Sequence, residues 1–158
     1  MRTSNALRIA IVAAAMHLAA CTGGSTPHPA SPAPPPAELR AGDLRIIASM
    51  VDTTTLPAQV TKQYNIPRAE DTWMLLVVVR RGPDGQEVAV PAVVEARART
   101  LNGNAFDIRM RETKTAQDYV DSIGTFSVTP PDTLQFTLKV TPQGAPTSTL
   151  SFTRELSR

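Results

Sequence analysis

The chain has 158 residues, and its 16 Lys and Arg residues nearly balance its 14 Asp and Glu residues, for a formal net charge of +2. A charge this small leaves no broad basic surface for nucleic acid. One cysteine excludes an intrachain disulfide, and both histidines, His17 and His28, precede residue 39. Residues 39–158 therefore lack the usual ligands of zinc, haem and iron–sulfur sites and the residues of Ser-His-Asp and Cys-His catalysis.

The first twenty residues have the composition of an export signal. Arg2 and Arg8 precede an uncharged run, 9–20, that would extend only about 18 Å as a helix, against about 30 Å for the hydrocarbon core of a membrane. A basic start, a short apolar segment and small residues at its end predict a signal peptide over 1–20. Because both arginines leave with it, fourteen basic residues then face fourteen acidic ones.

Residues 18–21, Leu-Ala-Ala-Cys, resemble the lipobox of bacterial lipoproteins. In that family the cysteine sulfur receives a diacylglycerol, a peptidase cleaves before it, and the new amino group is acylated, as with palmitate. The resemblance implies that Cys21 carries the lipid, and several acyl chains would hold the protein stably at a membrane. Thr22, in place of Asp, implies the outer membrane, facing the periplasm. The alternative is an ordinary secretory signal with an unrelated cysteine.

Residues 22–37 contain six prolines among small and polar residues and no charge. This composition cannot bury a core, and its prolines favour an extended polyproline II conformation. We interpret 21–38 as the lipidated cysteine and a spacer that reaches at most about 50 Å, at about 3.1 Å per residue. A proline-rich ligand for another domain is the alternative interpretation.

The remaining residues, 39–158, fit one domain. The segments with the composition of strands are 44–51, 72–81, 87–100, 104–112, 119–128, 133–141 and 148–156. Leu56, Val60 and Tyr64 recur at helical spacing after Pro57, which predicts one short helix near the start of the domain. The connections are too short for repeated βαβ crossovers. We therefore predict an all-β, antiparallel, immunoglobulin-like sandwich of about seven strands.

A helix that ends in Tyr64-X-Ile66-X-Arg68, followed by alternating strands, is the most specific feature of the domain. Over residues 43–156 this pattern resembles a bacterial domain of unknown function found in short exported proteins of Gram-negative bacteria. The resemblance implies a β-sandwich and no established activity. The chain departs from the family pattern at 46–51, which is apolar where family members carry polar aromatic residues.

Carboxylates are the remaining candidates for acid–base chemistry or for a calcium ion. Glu70 and Asp71 are adjacent before a predicted strand, and Asp118 and Asp121 flank Tyr119. The second pair lacks the further ligands and the glycine of a calcium loop. Carboxylates near strand starts more often cap turns, so we predict no catalytic residue, no metal site and no cofactor.

Aromatic and arginine residues offer two further candidate sites. Tyr64, Trp73, Tyr119 and the phenylalanines could line a ligand site, but aromatics are only 4% of the chain and the core needs them. We interpret Trp73 as a core residue. Arg80 and Arg81 could bind phosphate beside the turn that follows them. Two arginines at a hairpin more often keep a sheet edge soluble.

The hairpin around Asn102-Gly103 has two possible registers. A two-residue turn would place Arg97 opposite Ile108, which mixes charge with core on one face. A three-residue loop, 101–103, makes both faces consistent, and a slip by one residue would lose that. We predict the three-residue loop, with Gly103 in the left-handed region. The pairs that it predicts are Ala98 with Phe106, Ala96 with Ile108, Arg97 with Asp107, and Glu95 with Arg109.

These observations predict a membrane-anchored periplasmic lipoprotein whose domain is a binding or envelope-assembly module. Its expected partners are the membrane, through Cys21, and another envelope protein, with no nucleic acid. The strand interrupted by Pro91 and the strand 148–156 are the expected sheet edges, at which another chain can pair. The alternative is a carboxylate-dependent hydrolase that acts on envelope substrates.

Overall fold

The computed structural model describes residues 34–114 and 119–157. The predicted signal, Cys21, most of the spacer and Asp118 lie outside this part of the chain. Its strands are β1 (Ala37–Ala41), β2 (Leu44–Asp52), β3 (Thr72–Arg81), β4 (Val88–Ala89), β5 (Ala92–Thr100), β6 (Ala105–Ile108), β7 (Met110–Lys114), β8 (Val120–Ser127), β9 (Asp132–Pro142) and β10 (Ser148–Leu156). A 3-10 turn, Thr53–Thr55, and one short helix, α1 (Ala58–Gln63), connect β2 to β3.

The strands form two sheets that pack against each other. One sheet has the order β1-β2-β3-β8-β7, with β4 also paired to β3, and the other has the order β10-β9-β5-β6. All neighbouring strands are antiparallel. The predicted all-β sandwich with one short helix is confirmed, with ten strands in the described residues instead of about seven.

Alternate residues of the central strands β3 and β9 fill the space between the sheets, as the two-residue period of a strand requires. The buried core residues on these two strands are Trp73, Leu75, Val77, Val79, Leu134, Phe136, Leu138 and Val140. Fully burying one such side chain stabilises the fold by about 1.5–3 kcal/mol. The core therefore holds the two sheets together without a disulfide.

The outer face of β3 is buried only where the segment containing α1 covers it. Ile66, Met74 and Ile123 form a small cluster there, whereas Val78, farther along β3, is half-buried. The apolar run 72–81 predicted a strand buried on both faces. The structure confirms this for the first half of β3, because α1 supplies the second layer only there.

Two segments predicted as single strands each cross from one sheet to the other. The segment 87–100 divides at Pro91, so that β4 pairs with β3 and β5 pairs with β9 in the other sheet. Proline cannot donate a ladder hydrogen bond, so strand pairing is interrupted at this residue. The segment 104–112 divides at Arg109, with β6 beside β5 and β7 beside β8.

The crossing at Arg109 depends on the glycine beneath it. A Cβ atom on Gly124 would lie 2.5 Å from Met110 Sδ and 2.7 Å from Ile108 Cγ2. Atoms at those distances clash, so glycine is the residue that lets the crossing chain lie directly on β8.

The β5–β6 hairpin has the predicted three-residue loop. Ala96 pairs with Ile108, and Arg97 pairs with Asp107. Gly103 has a φ of +94°, in the left-handed region that glycine adopts readily. The predicted pairing of Glu95 with Arg109 is absent from the ladder, because β6 ends at Ile108 and the chain then leaves the sheet.

β1 has no counterpart among the predicted strands. It begins at Ala37, within the segment 21–38 that the composition assigns to the spacer. Only five residues long, it alternates Glu38 and Arg40 with small or apolar residues, a signal too short to distinguish from a charged loop. Its pairing with β2 extends the first sheet by one strand.

Candidate functional site

β5 has a strand on both sides only over its second half. β9 pairs with all of β5, from Ala92 to Thr100. On the other side, β6 pairs only from Ala96 to Arg99. Residues 92–95 therefore have no strand beside them on that side among the residues that the structure describes, and we call this segment the β5 free edge.

Two hydrogen bonds near the ends of β5 show to which side the backbone N–H and C=O groups of the free edge point. The Thr100 N–H donates to the Asn104 carbonyl across the hairpin at 2.9 Å, and the Gln143 N–H donates to the Pro91 carbonyl on the β9 side at 2.8 Å. Because these groups alternate along an antiparallel strand, the even-numbered residues of β5 face β6. Ala92 and Val94 therefore present their N–H and C=O groups to the open side.

A groove of about 620 Å³ lies at the junction of the free edge and the end of β6. Its apolar wall includes Val94 and Ile108, and its charged wall includes Glu95, Arg97 and Lys139. A volume of this size is typical of sites that bind small molecules or peptide side chains. The arrangement combines unpaired backbone groups, an apolar wall and charge, which is what binding an extended peptide requires.

The charges in the groove are weakly paired. Arg97 Nε lies 3.9 Å from Asp107 Oδ1, and these side chains are 64% and 83% exposed. An exposed pair at that distance contributes at most about 1 kcal/mol. Glu95 faces Lys139 across the β5–β9 ladder. Within the described residues Glu95 forms no ion pair of 4.0 Å or less, so its carboxylate is available to a ligand.

The other long edge of this sheet is partly covered. β10 is an edge strand, as predicted, with β9 on one side. Arg154 Nη2 donates to the Pro35 carbonyl at 2.6 Å, which ties β10 to the residues before β1. The edge predicted at the strand interrupted by Pro91 is right for residues 92–95 and wrong for 96–99, since those residues pair with a strand on both sides.

The candidate carboxylates do not converge on one site. Asp71 immediately precedes β3, whereas Asp121 pairs with Val78 near the other end of that strand. At about 3.3 Å per residue, seven residues of strand separate them by roughly 23 Å. Glu70 is exposed beside Asp71. Asp118 lies outside the described residues.

Asp71 and Asp121 make structural contacts. Thr129 Oγ1 donates to Asp71 Oδ2 at 2.9 Å, which links the residue before β3 to the segment after β8. Asp121 Oδ1 accepts from Arg80 Nη2 at 2.9 Å, in an ion pair whose side chains are only 12% and 15% exposed. The Arg80 guanidinium also lies 4.9 Å from the ring centroid of Tyr119. Within the described part of the chain, no group of three Asp, Glu, His or Cys residues could hold a metal ion.

Trp73 and the phenylalanines pack in the main core, Tyr64 packs against the small cluster under the α1 segment, and Tyr119 is 37% exposed. Trp73 is buried, as predicted, and its Nε1 donates to the Val128 carbonyl at 3.1 Å. Phe136 lies between Phe126 and Phe152, with ring centroids 5.8 and 4.9 Å away. At the possible phosphate site, Arg80 is committed to Asp121, and Arg81 lies 3.5 Å from the exposed carboxylate of Asp43.

A surface ion-pair network holds β1 onto the sheet. Arg45 Nη2 donates to Glu38 Oε2 at 3.0 Å, and Arg40 Nε donates to Glu38 Oε1 at 3.0 Å. The hydrogen bond from Arg45 is the largest of the causes that lower the pKa of Glu38 below its ordinary value of 4.5. In turn, Glu38 and Asp84 raise the pKa values of these arginines.

No helix in the described ranges is long and apolar enough to cross a membrane. The free edge is the feature that sequence reasoning located only in part. Proline at position 91 is the signal that marked it. Where the chain leaves β6 and the edge opens, Met110 lies beside Gly124 of β8, a long-range contact that local sequence patterns do not contain.

The chain is similar to a solved structure of a DUF4426 family protein from Pseudomonas aeruginosa, with 25% sequence identity and a TM-score of 0.66. The match covers 77% of this chain and 94% of the other. No curated protein matches the chain. Residues 38–157 match the family described as a domain of unknown function, DUF4426, which spans the segment 43–156 that resembled such a domain. The chain therefore belongs to the DUF4426 family.

Proposed function

We propose that this chain is a lipid-anchored module of the cell envelope that binds an extended segment of a partner protein along the β5 free edge. The observation that carries this proposal is the unpaired stretch 92–95 beside the groove. An extended segment placed there would accept and donate hydrogen bonds at Ala92 and Val94, continuing the sheet where β6 leaves it. Up to four backbone hydrogen bonds are available at these two residues.

The anchor in this proposal is Cys21, with the export signal before it and the proline-rich spacer after it. The Leu-Ala-Ala-Cys motif at 18–21 and the basic start of the chain support it. A lipid anchor confines the binding site to the membrane surface, which raises its effective concentration for partners located there. The spacer lets the domain reach into the periplasm.

A carboxylate-dependent hydrolase has less support. In glycosidases, two carboxyl groups lie about 5–10 Å apart on opposite sides of the scissile bond. Asp71 and Asp121 lie at opposite ends of β3, Asp121 is committed to Arg80, and Asp71, next to the exposed Glu70, accepts a hydrogen bond from Thr129. Strand addition requires none of these residues.

The experiment that tests the proposal is site-specific photocrosslinking in the native bacterium. A photoreactive residue replaces Val93, which is 68% exposed and lies on the free edge. The expected result is a covalent adduct with an envelope protein, identified by mass spectrometry, that disappears when Val94→Pro is added. Proline at 94 removes an N–H that faces the open side and leaves the β9 ladder intact.

The matched control is Ser151→Pro on β10. In the β9–β10 ladder the even-numbered residues of β10 face β9, so Ser151 directs its N–H away from the sheet. The control therefore adds a proline to the other edge of the same sheet at equivalent cost. An adduct that Val94→Pro leaves unchanged, or that Ser151→Pro removes equally, would contradict binding at the β5 free edge.

A further inference from the structure

We infer that the segment bound at the β5 free edge carries a lysine or arginine side chain opposite Glu95, an apolar side chain opposite Val94 and a β-branched side chain opposite Val93. This inference rests on the proposed function and names the chemistry of its partner. It follows from the register of the β5–β6 ladder, which a bound segment would continue, and from the side chains next to the free edge.

The register comes from the last pair of the β5–β6 ladder. Ala96 pairs with Ile108, so a strand that continues the line of β6 places its next residues opposite Glu95, Val94 and Val93 in turn. Residues opposite each other share a face of the sheet, with Cβ atoms about 4.5–5.5 Å apart. The side chain opposite Glu95 therefore points outward beside the carboxylate, and the one opposite Val94 points between the sheets.

The outward position favours a cation. Glu95 is its direct neighbour, and Asp107, at the end of β6, precedes it on the same line and face. Arg97, on β5, is only a diagonal neighbour of this position, and its guanidinium lies 3.9 Å from Asp107. Lys139 is one strand farther away, on the other side of Glu95. The nearest charges are thus negative, and the chain's own Arg109 would occupy this position if β6 continued.

The next two positions along the segment, opposite Val94 and Val93, favour an apolar and a β-branched side chain. Val94 is half-buried and packs against the main core, and Ile108 forms the neighbouring apolar wall of the groove. A side chain opposite Val94 would extend this core into the open side of the sandwich. Val93 is 68% exposed on the outer face, so a β-branched residue opposite it would cover apolar surface that water now contacts.

The test uses two synthetic peptides, each capped and fluorescently labelled, that differ at one position. Both carry valine at the positions that face inward and threonine at the positions that face outward, and the central outward-facing residue is lysine in one peptide and glutamate in the other. Binding to the full-length protein in detergent is measured by fluorescence anisotropy. The expected result is that the lysine peptide binds about fivefold more tightly, the size of one favourable against one unfavourable cross-strand pair.

Charge reversal on the protein isolates the pair. Glu95→Lys should reverse the preference between the two peptides, and Glu95→Gln should abolish it. Glu155→Lys makes the same charge change at an exposed residue of β10 and should leave the preference unchanged. Thermal unfolding of each variant confirms that it is folded.

The unfavourable outcomes separate this inference from the function on which it rests. If both peptides bind equally and Glu95→Lys changes neither, the charge assignment is wrong and strand addition stands. If neither peptide binds, strand addition and this inference both fail. Self-association of the protein that Val94→Pro abolishes would assign the free edge to a second copy and overturn the inference.

Discussion

Ala96 and Ile108 form the last pair of the β5–β6 ladder, and beyond them the two strands separate. β5 continues for four residues with β9 on one side, while β6 turns at Arg109 and enters the other sheet as β7. The free edge therefore exists because one strand of a hairpin crosses between the sheets and the other does not. The residues that pack at this crossing should therefore contribute to the stability of the domain.

Gly124→Ala tests the packing of that crossing. The added Cβ would meet Met110 Sδ, Ile108 Cγ2 and, at 3.1 Å, the Arg109 carbonyl. The side chains can move but the backbone carbonyl cannot move freely, so we expect a loss of about 1–3 kcal/mol in the free energy of unfolding, measured in urea. Adding Met110→Ala should recover part of it. Unchanged stability in the single variant would show that the crossing tolerates a side chain.

Asp121→Ala tests whether Asp121 has a structural role. It leaves Arg80, only 15% exposed, without its carboxylate, and we expect a loss of about 1–2 kcal/mol in the free energy of unfolding. Asp107→Ala breaks the exposed pair with Arg97 and should cost less than about 1 kcal/mol. Photocrosslinking at Val93 should survive Asp121→Ala. Loss of a cellular phenotype in this variant, with the fold and the adduct intact, would support the hydrolase instead.

The pH dependence of stability should include a contribution from Glu38. Arg45 and Arg40 lower the pKa of this carboxyl in the folded protein, whereas unfolding returns it to about 4.5. The stabilisation is therefore complete above pH 4.5 and is lost as the pH falls through the lower folded value. The difference in unfolding free energy between wild type and Glu38→Gln should shrink on acidification. A difference that is constant or grows as the pH falls would contradict this network.

Cys21→Ser tests the anchor. If Cys21 carries the lipid, the substitution should abolish labelling by a fatty-acid probe and release the protein from the membrane fraction, because the attachment atom is the cysteine sulfur. Processing by the lipoprotein peptidase should also stop. The wild-type chain is the control for expression. Equal labelling of the two proteins would exclude the lipobox interpretation.

Most strand positions were predictable because they depend on local composition, but the position of the five-residue β1 was not. The predicted segment 72–81 matches β3 residue for residue, and the predicted 44–51 ends one residue before β2 does. The hairpin register was predictable because only one alignment puts Ala96 and Ile108 on one face and Arg97 and Asp107 on the other. Both inferences use residues that are close together in the sequence, within one strand or one hairpin.

Sheet membership was not predictable in the same way. A strand that passes from one sheet to the other keeps its composition, so 104–112 reads as one continuous strand. At the crossing, the contact between Met110 and Gly124 joins residues on different strands. The ion pair between Arg80 and Asp121 was missed for the same reason, since 41 positions separate its partners. The candidate site lies beside the crossing from β6 to β7, which local sequence patterns do not predict.

The most direct test of the central claim is residue-resolved amide hydrogen exchange with and without the lysine peptide. In the free protein, the amides of Ala92 and Val94 should exchange much faster than those of Val93 and Glu95, which face β9. The peptide should slow Ala92 and Val94 and leave the other two unchanged. Slow exchange at Val94 in the free protein, or no change there when the peptide binds, would contradict a free edge that accepts a strand.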